Sequence, residues 1–110
     1  MEEKVSAELA TRMAAKMFKS ARPNRMSDEP MCAGGRYIRA KGIPSIMQKT
    51  DGGYVIAVAK QYGEVDVTEV TTADEAQQAL VNAIQAMTFR CDKPNAFEKW
   101  VADVEDWLSR

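Results

Sequence analysis

A glycine-rich turn between two strand-forming segments constrains the fold of this chain more than any other feature. Asp51-Gly52-Gly53 separates residues 43–50 from the apolar segment 54–59. Glycine tolerates the positive φ angles that tight hairpin turns need, so the two segments are expected to pair as an antiparallel hairpin. Segment 54–59 is apolar on both faces, which predicts a central strand.

A further strand extends this hairpin. Residues 64–70 alternate apolar and polar side chains, and Val65 and Val67 are expected to point inward. The pattern predicts a three-stranded antiparallel meander, or a four-stranded one if residues 36–40 join it. Pro44 favours an edge position or a strand start for the strand that contains it.

Three segments have helical periodicity. Residues 3–20 repeat apolar side chains every four positions, with a broad apolar face. Residues 72–87 open with a capping box, in which Thr72 is the N-cap and Glu75 its reciprocal partner. The last helix runs from residue 94 to about residue 108, with its aromatic and aliphatic side chains on one face.

The order α-β-β-β-α-α predicts one α+β domain over residues 1–110, with two layers in which helices cover one face of the sheet. Residues 20–35 interrupt this order with two prolines, two glycines and no visible period. An unstructured loop of this length is uncommon in a compact domain and is usually functional or mobile. No repeat or second domain is expected.

The inventory of reactive side chains argues against catalysis. The chain has no histidine, which excludes Ser-His-Asp and Cys-His nucleophilic catalysis. Its two cysteines, Cys32 and Cys91, are far apart in sequence, so most zinc chemistry is removed as well. Free thiols are favoured over a single bridge between them. We therefore expect no enzyme, no cofactor and no metal site.

The sequence also predicts a soluble, cytoplasmic protein. No apolar run approaches the roughly 18 residues that a membrane span requires. The first residues are acidic and lack the basic start and apolar core of a secretory signal. No membrane partner is expected.

Charge is divided unevenly along the chain. Residues 1–60 carry eleven Lys or Arg and six Asp or Glu, a net charge of +5, whereas residues 61–110 carry four cations and ten acids, a net charge of −6. The total of −1 conceals this asymmetry. Such a division favours either a partner or a fold that packs one half against the other.

The candidate partner-binding residues come from the two charged regions. The cations lie on the first helix, the loop and the first strand, where they could follow a phosphate backbone with a tyrosine available for stacking. The acids lie near the C-terminus of the last helix, an unfavourable place beside the negative end of the helix dipole. The residues are Arg12, Lys16, Lys19, Arg22, Arg25, Arg36, Tyr37, Arg39, Asp103 and Asp106.

Three functions follow from this distribution. The first is a non-catalytic protein-binding module that acts through separated charged surfaces, in the style of small phage or mobile-element regulators and inhibitors. The second is a nucleic-acid-binding module that uses the basic half. The third is a homo-oligomer in which the basic half of one subunit contacts the acidic half of another.

Overall fold

The computed structural model describes residues 3–32 and 37–110, and over them the chain forms three α-helices and five β-strands. The predicted α+β class and its three-stranded meander are confirmed. The elements in chain order are α1 (Ala7–Ser20), β1 (Ile38–Lys41), β2 (Pro44–Gln48), β3 (Tyr54–Ala59), β4 (Val65–Val70), α2 (Ala73–Ala86), β5 (Thr88–Cys91) and α3 (Ala96–Ser109).

Capping side chains set where the first two helices begin. The side chain of Ser6 accepts a hydrogen bond from the Leu9 amide, so α1 starts at Ala7, later than the periodicity from residue 3 indicates. The predicted N-cap of α2 is confirmed. The Thr72 hydroxyl accepts from the Glu75 amide at 3.2 Å and donates to the Glu75 carboxylate at 2.9 Å. Both caps satisfy amides that have no partner inside the helix.

The meander has the order β2-β3-β4, with antiparallel pairing throughout. Ile46 lies opposite Ile56, and both are buried beneath the helices. At the hairpin turn, a Cβ on Gly53 would lie 2.9 Å from the Val70 carbonyl oxygen, so this position requires glycine. The Gly53 amide donates to the Asp51 carboxylate at 3.0 Å. This bond, with nearby Lys49, lowers the pKa of Asp51.

A second, two-stranded sheet pairs β1 with β5. The strand expected at 36–40 therefore exists as Ile38–Lys41, but it joins β5 and leaves the meander with three strands. Ala40 lies opposite Phe89, whose side chain is buried in the core. The sequence pattern missed β5 because a four-residue strand is too short to show a clear period.

Part of the loop expected to be unstructured lies along the outer edge of β2. We call residues 22–27 the strap. Ser27 and Ile46 exchange two backbone hydrogen bonds, at 2.9 and 3.0 Å, and the Gln48 amide donates to the Arg22 carbonyl at 3.1 Å. Farther on, residues 29–32 form a short 3₁₀ turn. The strap is ordered because the backbone groups of an edge strand need partners.

The core lies between the inner face of the meander and the three helices. Leu9, Met13 and Met17 of α1 and Leu80 and Ile84 of α2 are buried there. The aromatic residues of this core join the second sheet to α3. The ring centroids of Phe89 and Trp100 are 4.7 Å apart, which anchors α3 beside β5.

Candidate protein-binding surface

Helical spacing places Arg12, Lys16 and Lys19 on one side of α1, and we call these three residues the basic ridge. The first of them, Arg12, faces the last helix. Arg12 donates two hydrogen bonds to the Glu105 carboxylate, at 2.7 and 2.9 Å. This contact raises the pKa of Arg12 and lowers the pKa of Glu105, chiefly through the side-chain hydrogen bonds themselves. A bidentate pair of this kind fixes geometry as well as charge. The charge of Arg12 is thus paired with an acid of the same chain.

The next cation of the ridge closes the C-terminal end of α3. Lys16 donates to the backbone carbonyls of Trp107 and Arg110, and its ammonium lies 4.6 Å from the centre of the Trp107 ring. The last carbonyls of a helix carry its negative dipole end, so a cation is favourable here. Lys16 thereby offsets the acids that cluster near this end of α3.

A smaller group of cations remains at the end of α1 and in the strap. Lys19 is exposed and forms no ion pair within the described ranges, and Arg22 donates to the carbonyls of Lys19 and Ala21. Arg22 and Arg25 line a hollow of about 530 Å³ that Asp28 and Glu29 also line. The two acids reduce the positive potential of this hollow.

Three candidate binding residues, Arg36, Tyr37 and Arg39, lie before or within β1. Arg36 lies outside the described residues. The Lys93 ammonium lies 4.0 Å from the centre of the Tyr37 ring, so one face of that ring is covered. Arg39 is mostly exposed and lies 3.8 Å from the Asp92 carboxylate.

The two predicted acids of α3 lie beside the C-terminal arginine. Asp106 accepts from Arg110 at 2.7 Å. Asp103 is half-buried and lines a hollow of about 350 Å³ together with Pro30 and Trp107. Asp103 and Asp106 therefore share a region of the surface, one turn of helix apart.

Across the described ranges, the fold pairs much of the basic half with the acidic half. Four of the seven ion pairs there join a cation from residues 1–60 to an acid from residues 61–110. These four are Arg12–Glu105, Arg39–Asp92, Lys49–Glu69 and Lys60–Asp66. The charge asymmetry of the sequence is therefore partly neutralised within the molecule.

The prediction that Val65 and Val67 point inward is wrong. Their side chains are 54% and 60% exposed, on the outer face of β4. Val67 lies opposite Ala57, and Val65 opposite Ala59, so the outer face is apolar across two strands. Since β3 is apolar on both faces, its sequence does not indicate which set of alternate residues faces the helices. The register, with Ile56 opposite Thr68, assigns the even-numbered residues of β4 to the inner face.

The outer backbone edge of β4 is open as well. The Ala59 amide donates to the Ile43 carbonyl on one side of β3, and the Lys60 amide donates to the Glu64 carbonyl on the other. Hydrogen-bonding direction alternates along a strand. By the observed register, Asp66, Thr68 and Val70 point their backbone groups toward β3, and the intervening residues point theirs outward. No strand or bridge of residues 3–32 and 37–110 pairs with this edge.

Tyr62 lies at the turn that leads into β4. Its side chain is 97% exposed, and its backbone adopts a left-handed conformation, with φ of 61°. This conformation is uncommon for a bulky residue and is found disproportionately at functional sites. Tyr62 also borders an open cleft of about 700 Å³ between the two sheets, with Lys41 and Lys60 at its rim.

Comparisons with protein-family models, with curated proteins and with solved structures give no match for this chain. Within the part of the chain that the structure describes, no helix is long and apolar enough to cross a membrane. Nor do the described side chains form a group of three or more Cys, Asp or Glu that could hold a metal ion.

Proposed function

We propose that this chain is a non-catalytic protein-binding module that receives an extended strand of another polypeptide along the open edge of β4. The observation that supports this best is a concentration of exposed apolar side chains. Of the five large hydrophobic side chains exposed among the described residues, three lie between residues 62 and 67: Tyr62, Val65 and Val67. Tyrosine and other large apolar side chains contribute strongly to protein interfaces.

Backbone geometry supports strand addition as the mode of binding. In this mode, main-chain hydrogen bonds supply affinity and alternate side chains supply selectivity. On β4 the residues with outward-pointing backbone groups are Val65, Val67 and Glu69, and two of these carry the exposed valine side chains. An incoming strand would gain hydrogen bonds and apolar contacts at the same positions.

The charged residues expected to bind a partner have a secondary part in this proposal. Arg12 and Lys16 are occupied by α3, which leaves the group around Lys19, Arg22 and Arg25. Exposed charges of this kind affect association rate and specificity more than affinity. A small module that occupies a partner's strand would be suited to regulation or inhibition.

Two synthetic peptides test strand addition. One has the sequence of residues 64–70, Glu-Val-Asp-Val-Thr-Glu-Val. The other, Val-Lys-Thr-Val-Lys-Val, would place lysines opposite Asp66 and Glu69 in an antiparallel pairing. We expect at least one of them to shift the NMR amide signals of Val65, Val67 and Glu69. Absence of any shift at these amides with both peptides would overturn the proposal.

A proline variant supplies the matched specificity test. The Val67 amide points away from β3, so Val67→Pro removes no hydrogen bond of the meander but blocks pairing at the outer edge. We expect this variant to keep the wild-type circular dichroism spectrum and to lose the peptide-induced shifts. Ala102→Lys, on the exposed side of α3, is the control and should bind as wild type does. Val65→Pro serves the same purpose if Val67→Pro fails to fold.

A further inference from the structure

Each copy of the meander has one covered edge and one open edge. The strap hydrogen-bonds along the outer edge of β2, and the outer edge of β4 has no strand beside it among the described residues. Because the described part of the meander has one open edge, pairing with a second copy uses the open edges of both meanders and leaves neither of them available to a third copy. The sheet would then close as a two-fold dimer and would not grow into a fibre.

We infer that the strand received by β4 is β4 of a second copy, antiparallel and centred on Val67. This inference rests on the proposed function, because it names the polypeptide that fills the same edge. The product is a continuous six-stranded sheet, in the order β2-β3-β4-β4-β3-β2.

Backbone geometry restricts the register. The outward-pointing residues of the two strands must pair with one another to exchange hydrogen bonds. Centring on Val67 places it opposite the partner's Val67, and places Val65 and Glu69 opposite the partner's Glu69 and Val65. All three outward-pointing residues of each strand are then paired. A dimer centred on Thr68 would place Val65 opposite the partner's Thr71. Because β4 ends at Val70, this pair would lie outside the strand.

Charge favours the same register. With Val67 at the centre, Asp66 lies opposite the partner's Thr68, and Glu69 lies opposite the partner's Val65. A dimer centred on Asp66 would instead place the Asp66 carboxylates of the two copies opposite each other. Like charges directly opposite each other destabilise a sheet.

The acids of β4 already have partners within their own chain, which favours a second copy over a cationic strand. Lys60 lies 2.9 Å from Asp66, and Lys49 lies 3.3 Å from Glu69. A basic partner would have to compete with Lys49 and Lys60 for these acids. In a second copy of this chain, the acids of β4 are already paired with that copy's own Lys49 and Lys60. The directly opposed Val67 side chains would join the apolar outer faces of the two meanders across the axis.

A single-cysteine scan tests both the dimer and its register. Cysteine is placed at position 66, 67 or 68 in a chain in which Cys32 and Cys91 are changed to serine. Hydrogen-bonded antiparallel pairs have Cα atoms about 5.5 Å apart, within the range for a disulfide. We expect Val67→Cys to cross-link at least about tenfold faster than Asp66→Cys and Thr68→Cys under mild oxidation. Equal rates at the three positions, or a faster rate at 66 or 68, would overturn the register.

Sedimentation velocity of the unmodified chain tests the dimer without any substitution. Because a pairing of six-residue strands makes a small interface, the dimer should be weak and should increase with protein concentration. The sedimentation coefficient should rise with concentration for the wild type and Ala102→Lys, and remain that of a monomer for Val67→Pro. A wild-type monomer at every concentration would refute the second copy.

The two proposals can fail separately. If the wild type stays monomeric while Val-Lys-Thr-Val-Lys-Val still shifts the outward amides of β4, strand addition stands and the partner is a different, basic polypeptide. If neither peptide shifts those amides and the chain is monomeric, both proposals are wrong.

Discussion

Individual side chains decide how much of the sequence's charge asymmetry is available to a partner. Arg12 is paired to Glu105 in a bidentate contact, and Lys16 is directed onto the terminal carbonyls of α3. Both belong to the basic ridge that helical spacing predicts. The spacing places the two cations on one face of α1, but only the packing of α1 against α3 determines what that face contacts.

The Arg12–Glu105 pair should depend on pH in a defined direction. The pKa of Glu105 is lowered by Arg12, so the pair stabilises the fold above the ordinary glutamate pKa of about 4.3 and loses this effect as pH falls through the lowered value. Urea unfolding of the wild type, Arg12→Gln, Glu105→Gln and the double variant measures the coupling. We expect coupling near pH 7 that decreases below about pH 4 and in high salt.

The pKa of Glu105 itself supplies a second measurement on the same pair. NMR titration should show it rising toward the ordinary value in Arg12→Gln. Coupling that stays constant across this pH range, or an unchanged pKa of Glu105 in the variant, would show that the contact is absent in solution.

At the scale of elements, much of the fold could be predicted from local patterns. The Asp51-Gly52-Gly53 turn, the Thr72 cap and the helical periods are short-range signals, and the corresponding elements are present. The strap and β5 depend on distant partners. Neither has a period of its own, and each is ordered by hydrogen bonds to a strand elsewhere in the chain.

The orientation of β4 shows the same limit at the candidate site. The alternation of apolar and polar residues predicts a strand here and places Val65 and Val67 on the same face, but five of the six residues of β4 are exposed. It could not tell which set of alternate residues faces the helices, because Thr68 and Asp66 occupy the inner face opposite apolar residues of β3. The open edge of β4, which supports the proposed function, is therefore identified by the strand register and could not be predicted from the sequence pattern.

We expect the strap to stabilise the fold and to prevent other chains from pairing with the outer edge of β2. Ser27→Pro removes the amide that donates to Ile46 and should destabilise the fold by about 2 kcal/mol. It also exposes a second edge, so species larger than a dimer should appear in sedimentation velocity. Ser27→Ala keeps the amide and is the matched control. A Ser27→Pro variant with the wild-type urea midpoint would mean that the strap contributes little.

At the scale of the whole molecule, the fold partly neutralises the charge asymmetry of the sequence and leaves the outer edge of β4, with its exposed Val65 and Val67, without a strand beside it among the described residues. Among the described residues, four ion pairs join the two halves within the chain, including Arg12–Glu105 and Lys49–Glu69. Association through β4 would therefore depend on backbone pairing and apolar contact. We expect added salt to weaken it far less than it would weaken binding to a phosphate backbone.

Amide hydrogen exchange of the unmodified chain, followed by NMR in dilute and concentrated solution, tests the central claim most directly. In dilute solution the amides of Asp66, Thr68 and Val70 should exchange slowly, because they bond to β3, and those of Val65, Val67 and Glu69 should exchange fast. At high concentration the second group should become protected as β4 pairs with its copy. Slow exchange of Val65, Val67 and Glu69 in dilute monomer, or fast exchange at every concentration, would contradict the account.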